Sequence, residues 1–246
     1  MTQVVIFGTE YMFCRPIGAN NADRFNRVTK LASKFEKLSK KFDGMIKRGG
    51  SSSRQAQLAL ACKLMMYTGI RVGNEGSAEG YVTKPHPNSK AEPKFVQTYG
   101  LTTLKKEHVI LAPRRVCLNF IGKKQVENSF VLSGELGKQV RSLYKIAEET
   151  LFDISAEEIR KFIKVSVGDV FTPKDFRTMR ANMYAMEMIT EISERETPNR
   201  KSEFNKEIKE VASFVAEQLN NTAGVCKASY IDPMVWEYFE TVRCNN

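Results

Sequence analysis

Residues 114–133 read RRVCLNFIGKKQVENSFVLS. Val116, Leu118 and Phe120 alternate with other residues, and Val126, Asn128, Phe130 and Leu132 resume the alternation beyond Gly122-Lys123-Lys124. A period of two on both sides of a glycine-containing turn is the pattern of a β-hairpin with one face buried. Just upstream, GLTTLKKEHVIL at 100–111 reads as two short strands around a charged turn, so the expected sheet is small, antiparallel and about three-stranded.

Outside this island the apolar period is helical. Phe25, Val28, Leu31, Phe35, Leu38, Phe42 and Met45 recur at spacings of three and four and predict one long amphipathic helix over 22–46. Glycines 49 and 50 and three serines make a loop, and a second helix from Arg54 to about Thr68 carries Leu58, Ala61, Cys62 and Met65 on one face with Leu60 and Leu64 on another. It is expected to be buried on most sides and to end at Gly69. Downstream, helices are expected to begin near Leu136, Ser155, Thr172, Lys201 and Asp232. Thr172-Pro173 with Asp175 is a capping hydroxyl, a proline at the first helical position and an acid at the third. Phe204, Ile208, Val211, Val215 and Leu219 form one more apolar stripe, stopped by Asn220-Asn221, and Asp232-Pro233 repeats the start signal. At the other end, VVIFG at 3–7 suggests a short strand and the chain then reads irregular to about Asn20. Three prolines and little periodicity mark 79–97 as a surface insertion. The expected fold is mainly α with a small antiparallel β-sheet: an extension over 1–19, then one domain over 20–246.

Composition narrows the function. The 246 residues are 42% hydrophobic and 27% charged, ordinary globular usage, and no apolar run approaches the ~20 residues a membrane helix needs. The N-terminus lacks a signal-peptide pattern, so an intracellular protein is expected. The net charge of +10 is uneven: between Asn20 and Arg54 ten basic residues face three acids. Such a stretch suits phosphate binding by counterion release, or is simply a solvated basic helix face. Five widely spread cysteines without CxxC spacing read as reduced thiols. Only two histidines occur, His86 in a loop and His108 in a turn, which argues against a His-rich zinc site and a Ser-His-Asp nucleophile. GGSSSR at 49–54 lacks the Lys-Ser/Thr of a P-loop, and no GxGxxG is present, so neither ATP nor a dinucleotide is implied.

Several polar residues interrupt the packing patterns. Arg71, after the buried helix, either caps its carbonyls or points into a site. Lys123 stands at the hairpin tip, where a basic residue faces solvent or a ligand. Arg177 lies one turn inside its helix, and Tyr230 precedes a new helix start. The strings TGIRVGNE, YGLTTLKKEHV, FIGKKQVENSF, TPKDFRTMRAN and LNNTAGVCKASYIDP occur in this order, and the array resembles the catalytic domain of type IB DNA topoisomerases, closest to the small poxvirus, giant-virus and bacterial members, over roughly residues 20–240. The resemblance implies their fold, shared with tyrosine recombinases. It also implies catalytic roles for Arg71 and Arg177 as the two arginines, Lys123 as general acid and Tyr230 as nucleophile. Asn221 stands where poxvirus members carry a histidine.

The chemistry these residue types offer agrees. A phenol is a weak nucleophile at neutral pH and needs positive surroundings. Guanidinium forks match the phosphate oxygens that gain charge, the amide of Asn221 can donate to them, and a lysine can protonate the departing 5′ oxygen. Lys34, Lys37, Lys41, Lys47 and Arg48 in the basic stretch, with Lys124, Lys174, Arg180 and Lys227 beside the motifs, are the candidate DNA-binding residues. The partner implied is duplex DNA, with no metal and no cofactor, and a monomer is expected. Only about 20 residues precede the first catalytic-domain helix, so the family's N-terminal clamp domain is expected to be missing. The basic helix or a separate clamp protein would then supply the grip. Two rivals stand beside this reading. A tyrosine recombinase would place a histidine at Lys174, and a DNA-binding protein that had lost catalysis would be expected to have lost at least one of the five residues.

Overall fold

The computed structural model describes residues 2–6, 9–13, 22–84, 92–198 and 200–244. In chain order, β1 (Thr2–Ile6) and β2 (Thr9–Phe13) precede three helices, α1 (Ala22–Ala32), α2 (Phe35–Gly49) and α3 (Arg54–Thr68). Then come α4 (Glu75–Glu79), β3 (Tyr81–Val82), β4 (Phe95–Val96), β5 (Val109–Leu111), β6 (Arg115–Gly122) and β7 (Val126–Ser133). The remainder is helical: α5 (Gly134–Ile146), α6 (Ala156–Ser166), α7 (Pro173–Ser193), α8 (Lys201–Gln218), α9 (Ala223–Ser229) and α10 (Pro233–Cys244). The chain forms two compact units, one of residues 1–39, 65–69 and 167–246, the other of residues 40–64 and 70–166. Among the described residues no helix is long and apolar enough to cross a membrane.

The first unit is built on α7. Its start follows the local signals: Pro173 occupies the first position, and the Asp175 carboxylate accepts from both the main-chain N–H and the hydroxyl of Thr172 at 2.8 Å. Arg27 of α1 reaches the same carboxylate at 3.4 Å, where α1 packs on α7. Ala181, Ala185, Ile189 and Ile192 share one core with residues of α8, α9 and α10, the small alanines permitting close helix approach. Arg243, near the end of α10, is 2% exposed and pairs with Glu207 of α8 while donating to the carbonyls of Arg195 and Glu196.

Three expectations are corrected here. The single helix over 22–46 is two, broken at Ser33-Lys34, where the Ser33 hydroxyl donates to the Lys30 carbonyl at 2.9 Å. The apolar spacing runs through the break, which hides it from a periodicity argument. Residues 9–13, read as irregular, pair antiparallel with β1, Val4 opposite Tyr11. Cross-strand partners stabilise a short strand whose own sequence is ambiguous. Residues 14–21 lie outside the described part. Helix α9 was not expected either: of its seven residues only Cys226 is buried, too few to show a period.

The second unit carries the sheet in the order β5-β6-β7, all antiparallel, with Leu118 opposite Phe130 and Phe120 opposite Asn128. Val116, Leu118, Phe120, Phe130 and Leu132 are buried, as the alternation predicts, and α5 packs on β6 and β7. The upstream half of GLTTLKKEHVIL is corrected. Residues 101–103 and 106–108 are 3-10 turns, and only 109–111 joins the sheet. Side chains compete for the main chain there: Thr103 Oγ1 accepts from Gly100 N–H and His108 Nδ1 from Lys105 N–H, both at 3.0 Å, which favours tight turns over a ladder. The insertion has a two-residue ladder at its base, Tyr81 opposite Val96, and its tip at 85–91 lies outside the described residues, His86 included. Residues Ala59 to Leu64 are buried throughout, and Lys63 among them pairs with Asp43, which also accepts from Gln139 at 2.7 Å.

Candidate active site

In the first unit, the end of α8 sets up the site. Asn220 adopts φ +48, its N–H donates to Glu217 O at 3.1 Å, and the Asn221 N–H donates to Ala216 O at 2.8 Å. This paired closure needs a residue tolerant of the left-handed region, and asparagine is one. It leaves the Leu219 carbonyl to another donor, the Arg177 guanidinium at 2.5 Å. The other terminal nitrogen of Arg177 donates to Gly69 O at 2.7 Å, so one buried arginine ties the end of α3 to the end of α8. Thus the carbonyl-capping role weighed for Arg71 falls to Arg177.

Tyr230 closes α9, whose first turn is capped by Thr222. Its N–H and that of Ile231 both donate to Cys226 O at 3.0 Å. The ring is half-buried against the core, and the Arg177 guanidinium carbon lies 5.4 Å from its centroid. Asn221 accepts the Thr222 N–H on Oδ1 at 3.0 Å, which leaves its NH2 as a donor, buried and with no partner among the described residues. Arg177 and Tyr230 are therefore brought together in one unit, a cationic fork beside a phenol, with the unused Asn221 amide donor two residues past the Leu219 carbonyl that Arg177 binds.

One residue here escaped sequence reasoning. Asn182 lies on α7 and is 8% exposed. Its Nδ2 donates to Tyr230 O at 2.9 Å and to Thr178 O at 2.7 Å, and its Oδ1 accepts the Asp232 N–H at 2.8 Å. It clamps the tyrosine's turn to the helix that bears Arg177. A buried asparagine five residues past a candidate arginine was the only signal, and its partners lie about 50 residues away in the chain.

In the second unit, Arg71 follows α3 in an irregular stretch, half-buried, and its guanidinium has no partner among the described residues. Its carbonyl accepts the Leu101 N–H at 2.8 Å. Lys123 begins the β6–β7 turn, is exposed and makes no side-chain bond among the described residues. The turn is tight: Lys124 and Gln125 adopt φ +64 and +58, each costing of order 1 kcal/mol for a non-glycine residue. Gly122 makes room for Asn128, whose amide would lie 2.3 Å from a Cβ there and which donates to Val126 O at 2.7 Å.

The basic candidates divide by surroundings. Lys37, Lys40, Lys41, Lys47 and Arg48 are exposed at helical spacing along one side of α2. Lys41 donates to Ser166 O at 2.7 Å and so caps the end of α6, a favourable place for a cation, and Lys34 donates to Val167 O at 3.5 Å. Lys124, Lys174 and Lys227 are exposed, with Lys227 5.9 Å from the Trp236 ring. Arg180 is half-buried, its guanidinium 4.0 Å from the Tyr184 ring centroid. His108 takes a structural place: burial pushes its imidazole below the ordinary 6.5, and its ring lies 4.4 Å from that of Tyr99. Among the described residues no group of three His, Cys, Asp or Glu is arranged to hold a metal ion.

Comparison with known proteins places the chain in a family. The model of the eukaryotic DNA topoisomerase I catalytic core matches residues 15–232. DNA topoisomerase 1B of Acanthamoeba polyphaga mimivirus is 29% identical over 164 residues, covering 58% of this chain and 47% of that protein. The chain spans about half the length of this relative.

Proposed function

The chain belongs to the type IB DNA topoisomerases, whose catalytic core that family model describes, and from this membership we propose that it relaxes supercoiled duplex DNA through a transient DNA 3′-phosphotyrosyl bond. The Tyr230 oxygen attacks a backbone phosphorus, the bond to the 5′ oxygen breaks, and the phenolic proton leaves to solvent. Arg177 and Arg71 neutralise charge growing on the non-bridging oxygens, where a planar, permanently charged fork outperforms an ammonium. The NH2 of Asn221 donates to the same oxygens. Lys123 delivers a proton to the departing 5′ oxygen. The broken phosphodiester is replaced by an ester of similar energy, so after strand rotation the 5′ hydroxyl attacks and the duplex is resealed. Neither ATP nor a metal ion enters the balance.

The observation that carries this reading is the Arg177 guanidinium 5.4 Å from the Tyr230 ring centroid, with the unused Asn221 donor two residues past the carbonyl that Arg177 caps. The exposed cations of α2, with Lys124, Lys174, Arg180 and Lys227, contribute the sequence-independent grip on duplex phosphates. The chain works as a monomer, since each nick needs one tyrosine, at DNA inside the cell. A separate clamp protein would strengthen its hold.

The test is to trap the chain on a suicide duplex whose cleaved fragment is lost, and to map the DNA-linked peptide. Adduct on Tyr230, absent from Tyr230→Phe, supports the proposal; adduct on any other residue, or none, rejects it. Relaxation of a plasmid without paired target sites distinguishes this activity from site-specific recombination.

A further inference from the structure

Arg71 sits in an irregular stretch, so something other than helix or strand has to hold it. Main-chain bonds do. Beside the Leu101 bond to its carbonyl, the Thr102 N–H donates to Val72 O at 2.7 Å and the Thr102 hydroxyl to the same oxygen at 3.0 Å. One residue before Gly100, the Tyr99 N–H donates to Ile121 O at 2.7 Å, two residues ahead of Lys123. Residues 99–102 thus form a splint from the end of β6 to the Arg71 stretch.

Two main chains can lie this close only if no Cβ stands between them. Gly100 has φ −155 and ψ −173, an extended conformation open to any residue, so conformation is not the reason for glycine. Space is. A Cβ on Gly100 would stand 2.6 Å from the Cα and the nitrogen of Gly73 and 2.8 Å from the Arg71 carbonyl oxygen. These are all main-chain atoms, which cannot rotate away as a side-chain tip can. Gly73 backs onto the splint from the other side with φ +106, its own Cβ position 3.0 Å from Thr102 Oγ1. The contact is therefore glycine on glycine.

We propose that Gly100 is a positioning residue for Arg71: it lets residues 99–102 seat directly on the Arg71 main chain and so fixes where that guanidinium meets the scissile phosphate. The proposal rests on the catalytic role given to Arg71 above. It predicts that the effect of Gly100 passes through Arg71 and through no other group.

The experiment is a double-mutant cycle on single-turnover cleavage of the suicide duplex, with amide hydrogen exchange on the same proteins. Gly100→Ala is expected to cleave about 10²-fold more slowly, the scale of a roughly 1 Å misplacement of a reacting group, and to exchange the Leu101 and Thr102 amides faster. In an Arg71→Ala background the same change should cost less than about threefold, because coupled residues are not additive. Thr102→Val, which keeps volume and loses the hydroxyl bond, is a milder second probe: it should slow cleavage about fivefold, and Thr102→Ser should recover most of that. If Gly100→Ala fails to fold, the Thr102 pair in both backgrounds decides. Full multiplicative losses in the Arg71→Ala background, or wild-type cleavage with unchanged exchange at Leu101 and Thr102, would overturn the proposal. Wild-type cleavage by Arg71→Ala itself would instead remove the catalytic role given to Arg71 and overturn the proposal with it, while the exchange data still report whether Gly100 seats the splint.

Discussion

Arg177 binds the carbonyls of Gly69 and Leu219 with its two terminal nitrogens while its guanidinium carbon stands 5.4 Å from the Tyr230 ring centroid. One side chain thus joins two helix ends and sets the charge beside the phenol. Its removal should be felt as both lost stability and lost chemistry. Arg177→Lys keeps the charge but cannot reach both carbonyls at once, and leaves a buried acceptor unpaired. We expect a loss of about 1–3 kcal/mol in urea denaturation. Cleavage of the suicide duplex should fall by about 10²–10³-fold. Equal stability with reduced cleavage would show that the carbonyl bonds are incidental.

Asn182 should matter to rate more than to DNA affinity. It touches the main chain of Tyr230 and Asp232 and makes no contact that a phosphate could replace. Asn182→Ala frees the Asp232 N–H and lets the tyrosine's turn shift. Single-turnover cleavage is expected to drop about 10–100-fold with duplex binding within about twofold of the parent. A matching drop in affinity would place Asn182 in the DNA interface instead.

The clasp at the end of α10 carries the largest expected stability effect. Arg243 is almost wholly buried, and Glu207 accepts from two of its nitrogens. Arg243→Ala strands that carboxylate, and breaking a buried pair from one side costs about 3–5 kcal/mol. Replacing both partners by apolar residues of similar size should cost much less. Urea unfolding of the two variants measures the difference.

Stability should weaken with acid in a way traceable to Glu158. Hydrogen bonds from Arg54, then from Ser155, hold its carboxyl down at about 2 against the ordinary 4.5. A carboxylate with a depressed folded value contributes stability above its unfolded value and loses it as pH falls through the folded one. The contribution should therefore be whole above pH 4.5 and fade down to about pH 2. Glu158→Gln should flatten that part of the stability profile and leave the profile above pH 6 parallel to the parent; an unchanged acid limb would count against the assignment.

Binding should respond to salt through the α2 cations. Each phosphate neutralised contributes a slope of about −0.9 in log affinity against log salt. Lys37→Ala and Lys47→Ala should each lower the slope by about one on duplexes of any sequence. Lys34→Ala should change it less, because Lys34 is engaged with Val167 O and lies 5.0 Å from the Phe171 ring centroid.

What the linear order of residues determined is everything with a local cause. Alternation of Val116, Leu118 and Phe120 against Phe130 and Leu132 dictates the hairpin, because a strand exposes every second residue to the same side. Thr172-Pro173 and Asp175 start α7 within four residues, and Asn220 ends α8 by accepting a left-handed backbone. The strings around Arg71, Lys123, Arg177, Asn221 and Tyr230 were legible as a family array for the same reason: each is short and contiguous. Where local signals were silent or evenly balanced, reading failed. Leu31 and Phe35 keep the helical spacing across the Ser33 break, α9 is too short to show a period, and the turns at 101–108 depend on Thr103 and His108 bonding back to the main chain.

Only the tertiary structure decided what each polar group is for. That Arg177, and not Arg71, caps the helix carbonyls follows from Gly69 and Leu219 meeting 108 and 42 residues away in the chain from it. That Asn182 clamps Tyr230 spans 48 residues, and that Gly100 must be glycine is a statement about the atoms of Gly73 and Arg71 standing against it. Hydrogen bonds and steric limits act through space over about 3 Å, whereas sequence patterns report only neighbours within a few turns or strands. The residue types were therefore readable in advance, and their partners were not.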